Sequence, residues 1–119
     1  MKSLFAALLL LTLPTFASAE FSPLNDKSRF LSMIDGKTLS NRLFGVELSV
    51  LPDGTIRGEA QGWPITGTWQ WQNGLFCREM DWDGYAIGYN CQLVETRGND
   101  ELRFTVDQGA GRSARFKLR

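Results

Sequence analysis

Apolar and polar residues alternate along most of the chain after residue 42, and this period of two predicts β-strands. In the clearest stretch, Ile65, Trp69 and Trp71 fall on one face of an extended strand, while Thr66 and Thr68 fall on the other. Aromatic side chains on the apolar face of a strand pack inward. We therefore expect both tryptophans to lie in the core.

Turn sequences divide this pattern into seven short strands. Asn73-Gly74 and Asp83-Gly84 are strong hairpin signals, because both residues of each pair tolerate a positive φ. Further Gly-containing turns separate the remaining segments. The predicted strands are 43–51, 55–60, 65–71, 75–81, 88–95, 102–106 and 113–119.

Tight turns join antiparallel neighbours, so the predicted fold is all-β, a small antiparallel meander. Such a meander can curl into a barrel that protects its edge strands, and a two-layer β-sandwich is the alternative. One short N-terminal helix is predicted at 25–34, because Leu24, Phe30, Leu31 and Ile34 approximate a helical stripe.

The two cysteines are placed symmetrically about the predicted turn at Gly84. Cys77 and Cys91 are equally far from this glycine along the chain, so a hairpin centred on it would bring them face to face. We predict one disulfide, which stabilises the fold by about 3 kcal/mol through loop closure. Two free buried thiols are the alternative.

The N-terminus has the features of a secretory signal peptide. Lys2 provides a positive start, an apolar run at 4–13 is too short to span a bilayer, and small residues end at Ala19. We predict that residues 1–19 are removed near Ala19 and that 20–119 form a single β domain. The mature protein is expected to be soluble, exported, and periplasmic or extracellular.

The charge balance argues against several classes of partner. The chain has 13 basic and 13 acidic residues, so nothing attracts it globally to nucleic acid or to an anionic membrane. No stretch after the signal is apolar enough for a membrane span. Arg115, Lys117 and Arg119 alternate with apolar residues and are expected on the solvent face of the last strand. A monomer or a weak homo-oligomer is expected.

Few residues are candidates for catalysis. The chain has no His, and its two cysteines are expected to be bonded to each other, which excludes Ser-His and Cys-His chemistry. Glu79, Asp81 and Asp83 form an acidic cluster near a turn. It is either a weak cation contact or acid/base pair, or the charged end of a solvated hairpin. We predict no catalytic residue, no metal ligand and no cofactor.

Four aromatic residues are candidates for ligand binding. Trp63, Trp82, Tyr85 and Tyr89 lie at predicted bends or near a hairpin tip. Aromatic rings at the mouth of a barrel can build an apolar ligand site. The alternative is that they cover the core.

Three runs of the chain read GTWQWQNGLFCREMDWDG, GYNCQLVE and LRFTVDQGAGRSARFKLR. In these runs the chain resembles a family of small exported bacterial proteins, many of which carry the automated name dihydrodipicolinate reductase. The resemblance extends over residues 36–119 and implies a bacterial, periplasmic location. A dihydrodipicolinate reductase is a nicotinamide-dependent enzyme with a nucleotide-binding glycine loop at its N-terminus and an active-site His, whereas this chain has a predicted signal peptide at that end and no His. Reductase activity is therefore the least expected function.

These observations favour a non-enzymatic binding module for a small apolar ligand or a partner protein. A periplasmic protease inhibitor or envelope accessory protein is the alternative, by analogy with other small disulfide-bonded barrels. An enzyme ranks last, whether it uses Glu79 and Asp81 or has the reductase activity of the automated family name.

Overall fold

The computed structural model describes residues 7–11 and 20–119. Residues 7–11 are exposed and form no helix or strand. The remainder of the predicted signal peptide, with the cleavage position near Ala19, lies outside the described residues.

Nine strands and one α-helix form within the described residues. Strands β2 to β9 pair with one another in chain order, and β9 pairs in turn with β2. The result is a closed, eight-stranded antiparallel barrel, which confirms the barrel and rules out the sandwich. The elements are β1 (Ser22–Pro23), α1 (Lys27–Ile34), β2 (Leu39–Asn41), β3 (Val46–Val50), β4 (Thr55–Ala60), β5 (Trp63–Gln72), β6 (Leu75–Trp82), β7 (Tyr85–Arg97), β8 (Glu101–Thr105) and β9 (Ser113–Leu118).

The strand predicted at 43–51 is present from Val46 to Val50, but its start was placed too early and the strand before it was not predicted. The structure has a separate strand, β2, then a turn, and β3 begins only at Val46. In the turn, the backbone N–H of Phe44 donates to Oδ1 of Asn41 at 3.1 Å, and Gly45 has a φ of 63°. Leu43 and Phe44 are exposed there. In the sequence, these two apolar residues resemble the start of a strand, which is why the predicted boundary was too early. Strand β2 has only three residues, too few to show an alternation of apolar and polar positions.

The predicted helix is confirmed, and it closes one end of the barrel. Asp26 caps α1, since its Oδ1 accepts from the backbone N–H of Ser28 at 2.9 Å. Phe30 is fully buried, and its ring centroid lies 5.0 Å from that of Trp71 and 5.5 Å from that of Phe76. The helix thus packs over the barrel end that carries the β5–β6 turn.

The N-terminal strand β1 pairs with β7 at Ser22–Thr96 and Pro23–Glu95, beyond the point where the pairing of β7 with β6 ends. The ring of Phe21 lies between two guanidinium groups, 4.5 Å from Cζ of Arg97 and 4.2 Å from Cζ of Arg103. These arginines also pair with Glu101 and Glu95, respectively. The segment just after the predicted cleavage position is therefore held to the barrel wall.

The disulfide between Cys77 and Cys91 is confirmed, with Cα atoms 3.9 Å apart. The register that predicted it holds at the cysteines but not at the hairpin tip. At the tip, Trp82 pairs with Tyr85, so the hairpin is centred between Asp83 and Gly84.

A β-bulge reconciles the two registers. Between Met80 and Arg78 on β6 there is one residue, whereas between Ile87 and Asn90 on β7 there are two. The additional residue in β7 brings Cys91 opposite Cys77 and turns the strand locally.

Candidate functional site: a cavity inside the barrel

The interior of the barrel is not completely filled by side chains. A cavity of about 340 Å³ lies between the core and the barrel end opposite to α1. Most of its lining is apolar, with a few polar groups among the apolar side chains. The lining residues are Leu39, Leu48, Val50, Ile56, Phe76, Arg78, Met80, Ile87, Gln92, Phe104, Val106, Arg112, Ser113, Ala114 and Phe116.

The cavity reaches the surface near the turn between β8 and β9. There, Arg112, Ser113 and Ala114 are exposed. Asn90 and Asp107 hold this turn against β7, since Nδ2 of Asn90 donates to Oδ1 of Asp107 at 2.8 Å and the backbone N–H of Asp107 donates to Oδ1 of Asn90 at 2.9 Å. Two hydrogen bonds therefore fix the β8–β9 turn at the opening of the cavity.

Arg78 is the polar residue that β6 directs into the interior. It lies on the same face of the strand as Phe76 and Met80, which also line the cavity, and it pairs with Trp69 of β5. Only 8% of its surface is exposed. Its Nη1 donates to the carbonyl oxygen of Gly88 at 2.7 Å. Burial lowers the pKa of its guanidinium from the ordinary value, but an arginine in a protein remains charged.

No carboxylate neutralises Arg78 within the described residues. The ion pairs found there involve three other basic residues, Arg97, Arg103 and Lys117. In the same part of the chain, no side-chain N or O atom that is shielded from solvent lacks a hydrogen-bond partner. The N–H groups of Arg78 that make no protein hydrogen bond therefore border open space, and the open space beside Arg78 is the cavity.

Three of the four predicted aromatic residues come together elsewhere. Trp63, Trp82 and Tyr85 line a shallow depression of about 280 Å³ at the β6–β7 hairpin tip, together with Asp83. Trp63 and Tyr85 are exposed, whereas Trp82 is half-buried and its Nε1 donates to the carbonyl oxygen of Ala60 at 3.1 Å.

Tyr89 does not join this aromatic cluster. It is exposed at the bulge, where its hydroxyl lies 3.2 Å from Oε1 of Gln72 and 3.4 Å from Sγ of Cys91. It lines neither the barrel cavity nor the depression at the tip.

The acidic cluster lies on the outside of the same hairpin. Glu79 is exposed, Asp83 forms part of the turn with a φ of 49°, and Oδ1 of Asp81 accepts from the backbone N–H of Gly84 at 2.7 Å. Within residues 7–11 and 20–119, no group of three or more His, Cys, Asp or Glu side chains is arranged to hold a metal ion. The contact that Asp81 makes is that of a turn-forming residue.

Sequence reasoning missed Arg78. A signal for it was present, because Arg78 falls in the alternation on the same face as Phe76, Met80 and Trp82, all apolar. A lone charge on the apolar face of a strand marks either a buried ion or a ligand contact.

Comparison of the chain with protein-family models, with curated proteins and with solved structures found no match. In the part of the chain that the structure describes, no helix has the length and apolar character needed to cross a bilayer.

Proposed function

We propose that this protein is a non-enzymatic binding module that holds a small, largely apolar ligand inside its barrel. The observation that carries the proposal is the cavity of about 340 Å³ with its mainly apolar lining. Ligand sites of small molecules are concave, mostly apolar and contain a few placed polar groups. The volume lies at the lower end of the range for such sites, so the ligand is small.

The architecture supports this role. The helix α1 closes one end of the barrel through Phe30, which leaves the opposite end for entry. The wall is a closed ring of hydrogen-bonded strands, and the disulfide ties β6 to β7 beside the cavity. A rigid, preformed cavity binds with little loss of conformational entropy.

Export to an oxidising compartment, and membership of the family of small exported bacterial proteins, are part of the same proposal. The disulfide between Cys77 and Cys91 supports an oxidising compartment. A periplasmic binding role fits a protein that has no His for Ser-His or Cys-His catalysis.

The experiment is native mass spectrometry of the protein produced with its own N-terminus and purified from a bacterial periplasm. We expect a processed chain with one disulfide and an additional small-molecule mass. Ala114→Phe, which places a ring in the opening of the cavity, should abolish this mass. Arg115→Phe is the matched control, because Arg115 is the next residue of the same strand and does not line the cavity. A ligand-free wild-type chain, or a mass that Ala114→Phe retains, would contradict the cavity as the site.

The same measurement distinguishes the cavity from the aromatic depression at the hairpin tip. A double substitution, Trp63→Ala with Tyr85→Ala, removes two exposed rings from the depression and leaves the barrel lining intact. Loss of the ligand mass in this variant, with retention in Ala114→Phe, would assign the site to the aromatic residues.

A second candidate function is protease inhibition through an exposed loop. The observation in its favour is the β2–β3 turn, where Leu43 is 86% and Phe44 is 61% exposed. Two apolar side chains at the tip of a tight turn suit the specificity pocket of a protease. The test is residual activity of periplasmic proteases with excess protein, compared with a Leu43→Ser and Phe44→Ser double variant. Equal protease activity in all samples would eliminate this function.

A further inference from the structure

We propose that the barrel cavity selects apolar molecules that carry one carboxylate, and that the guanidinium of Arg78 pairs with that carboxylate inside the barrel. This inference rests on the proposed function, and it specifies the chemical class of the ligand. The interior residues of β6 on either side of Arg78, Phe76 and Met80, are apolar.

The first argument is the cost of the buried charge. A charged group taken out of water is strongly destabilising unless it is paired and hydrogen-bonded. Arg78 is 8% exposed and bonds to one carbonyl oxygen, that of Gly88. A guanidinium has five N–H donors. In the described part of the chain, therefore, most of its hydrogen-bonding capacity and its whole positive charge are left without a protein partner.

The second argument is the position of the N–H groups of Arg78 that make no hydrogen bond to the protein. These groups border the cavity, whose wall around Arg78 is formed by Phe76, Met80 and Ile87. An apolar wall lowers the local dielectric constant, so a charge pair formed there is much stronger than the same pair in water. A ligand with an anionic group at this depth would supply the missing partner, while its apolar part would fill the remainder of the cavity.

The third argument concerns the kind of anion. The planar guanidinium presents parallel N–H groups that match the two oxygens of a carboxylate. One arginine is buried in the lining, whereas Arg112 lies exposed at the opening. The cavity thus provides one interior positive charge and one interior amide, that of Gln92, which suits a single carboxylate and not a multiply charged headgroup.

The test is isothermal titration calorimetry of the mature protein, residues 20–119, with ligands that share one apolar chain and differ in the headgroup. Decanoate, decanol and decylamine form such a set. Naphthoate and naphthalenemethanol repeat the comparison with a ring-shaped apolar part. We expect the carboxylate of at least one set to bind about 10- to 100-fold more tightly than the neutral alcohol, and the amine not to bind.

Substitutions then identify the group responsible. Arg78→Met should reduce the affinity for the carboxylate to that for the alcohol, and Arg78→Lys should retain part of the preference. Arg115→Met, the same change on the outer face of β9, is the matched control and should leave the preference unchanged. If Arg78→Met does not fold, the headgroup comparison on the unmodified protein and on Arg78→Lys still decides the matter.

Each outcome separates this inference from the proposed function. If no ligand of either set binds, both are overturned. If alcohol and carboxylate bind equally, the cavity binds apolar ligands, and the carboxylate inference alone is overturned. The same holds if the preference survives Arg78→Met and is lost in Arg112→Met, because the anion would then sit at the opening and not inside the barrel.

Discussion

The guanidinium of Arg78 donates to the carbonyl oxygen of Gly88 at 2.7 Å across the hairpin that β6 and β7 form. Gly88 is one of the two residues of β7 that oppose Glu79 at the β-bulge. A bulge interrupts the regular ladder and leaves part of the backbone without a strand partner. The hydrogen bond from Arg78 therefore links the buried guanidinium to the backbone of β7 at the bulge.

Arg78→Met should remove the preference for carboxylate ligands without lowering the stability of the fold. Methionine is apolar and flexible, so it can occupy the space of the arginine stem without burying a charge. We expect the free energy of unfolding in urea to stay level or to rise by about 1 kcal/mol. Arg115→Met controls for the loss of one positive charge. A fall of more than about 2 kcal/mol would show that Arg78 is needed for folding and would weaken its assignment to ligand binding.

Loss of the disulfide should lower stability without changing the fold. The variant with Cys77→Ala and Cys91→Ala should unfold with a free energy lower by about 3 kcal/mol, because the unfolded chain is no longer cross-linked. Urea titration of the oxidised wild-type protein and of the variant measures this difference. Reductant should lower the stability of the wild-type protein to a similar degree and have no effect on the variant. A variant as stable as the oxidised wild type would mean that the link is unimportant.

Phe30→Ala should be the most costly single change in the helix. Phe30 is fully buried, and its ring lies within 5.6 Å, between centroids, of those of Trp69, Trp71 and Phe76. Removal of a buried phenylalanine ring costs about 3 to 5 kcal/mol. Arg29→Ala, next to it on the exposed side of α1, should change stability by less than about 0.5 kcal/mol. Similar values for both variants would mean that α1 does not pack as the structure shows.

Asp53→Asn should alter the acid end of the stability profile. Hydrogen bonds from the hydroxyl and backbone N–H of Thr55 hold the pKa of the Asp53 carboxyl below its ordinary value of 3.8. A lowered pKa stabilises the folded state above the unfolded-state pKa, and this contribution is lost as the pH falls through the lower, folded-state value.

The wild type should therefore be more stable than Asp53→Asn at pH 7, and the difference should vanish towards strongly acidic pH. Thermal unfolding across this pH range measures both proteins side by side. A difference that stays constant with pH would show that the carboxylate charge is not the cause, and that the asparagine disturbs the turn in another way.

Much of the fold could be predicted because its signals are local. The side-chain alternation of β5, the Asn-Gly and Asp-Gly turns and the helical stripe around Phe30 each lie within a few residues of sequence. The prediction that Cys77 pairs with Cys91 required only the position of one turn, that at Gly84. It was correct even though the assumed centre of the hairpin was displaced, because the bulge in β7 compensates for a two-residue turn.

The candidate site could not be assembled in the same way. Its lining comes from strands throughout the barrel, from Leu39 in β2 to Phe116 in β9. Exposed aromatic residues at the tip, such as Trp63 and Tyr85, attract attention in a sequence because large rings are expected to be functional. The structure brings them together on the surface, away from the interior cavity.

By itself, the sequence determined the strand period, the turns, the helix and the cysteine pair, since these depend on side-chain size and backbone preference over short distances. The tertiary structure decided the closure of the barrel, where Leu39 pairs with Leu118, because contacts between residues so far apart depend on the cumulative twist and register of every strand between them. It also decided the surroundings of Arg78. An arginine has the same charge on any strand, but only the closed barrel surrounds it with apolar neighbours and leaves its free donors facing a cavity.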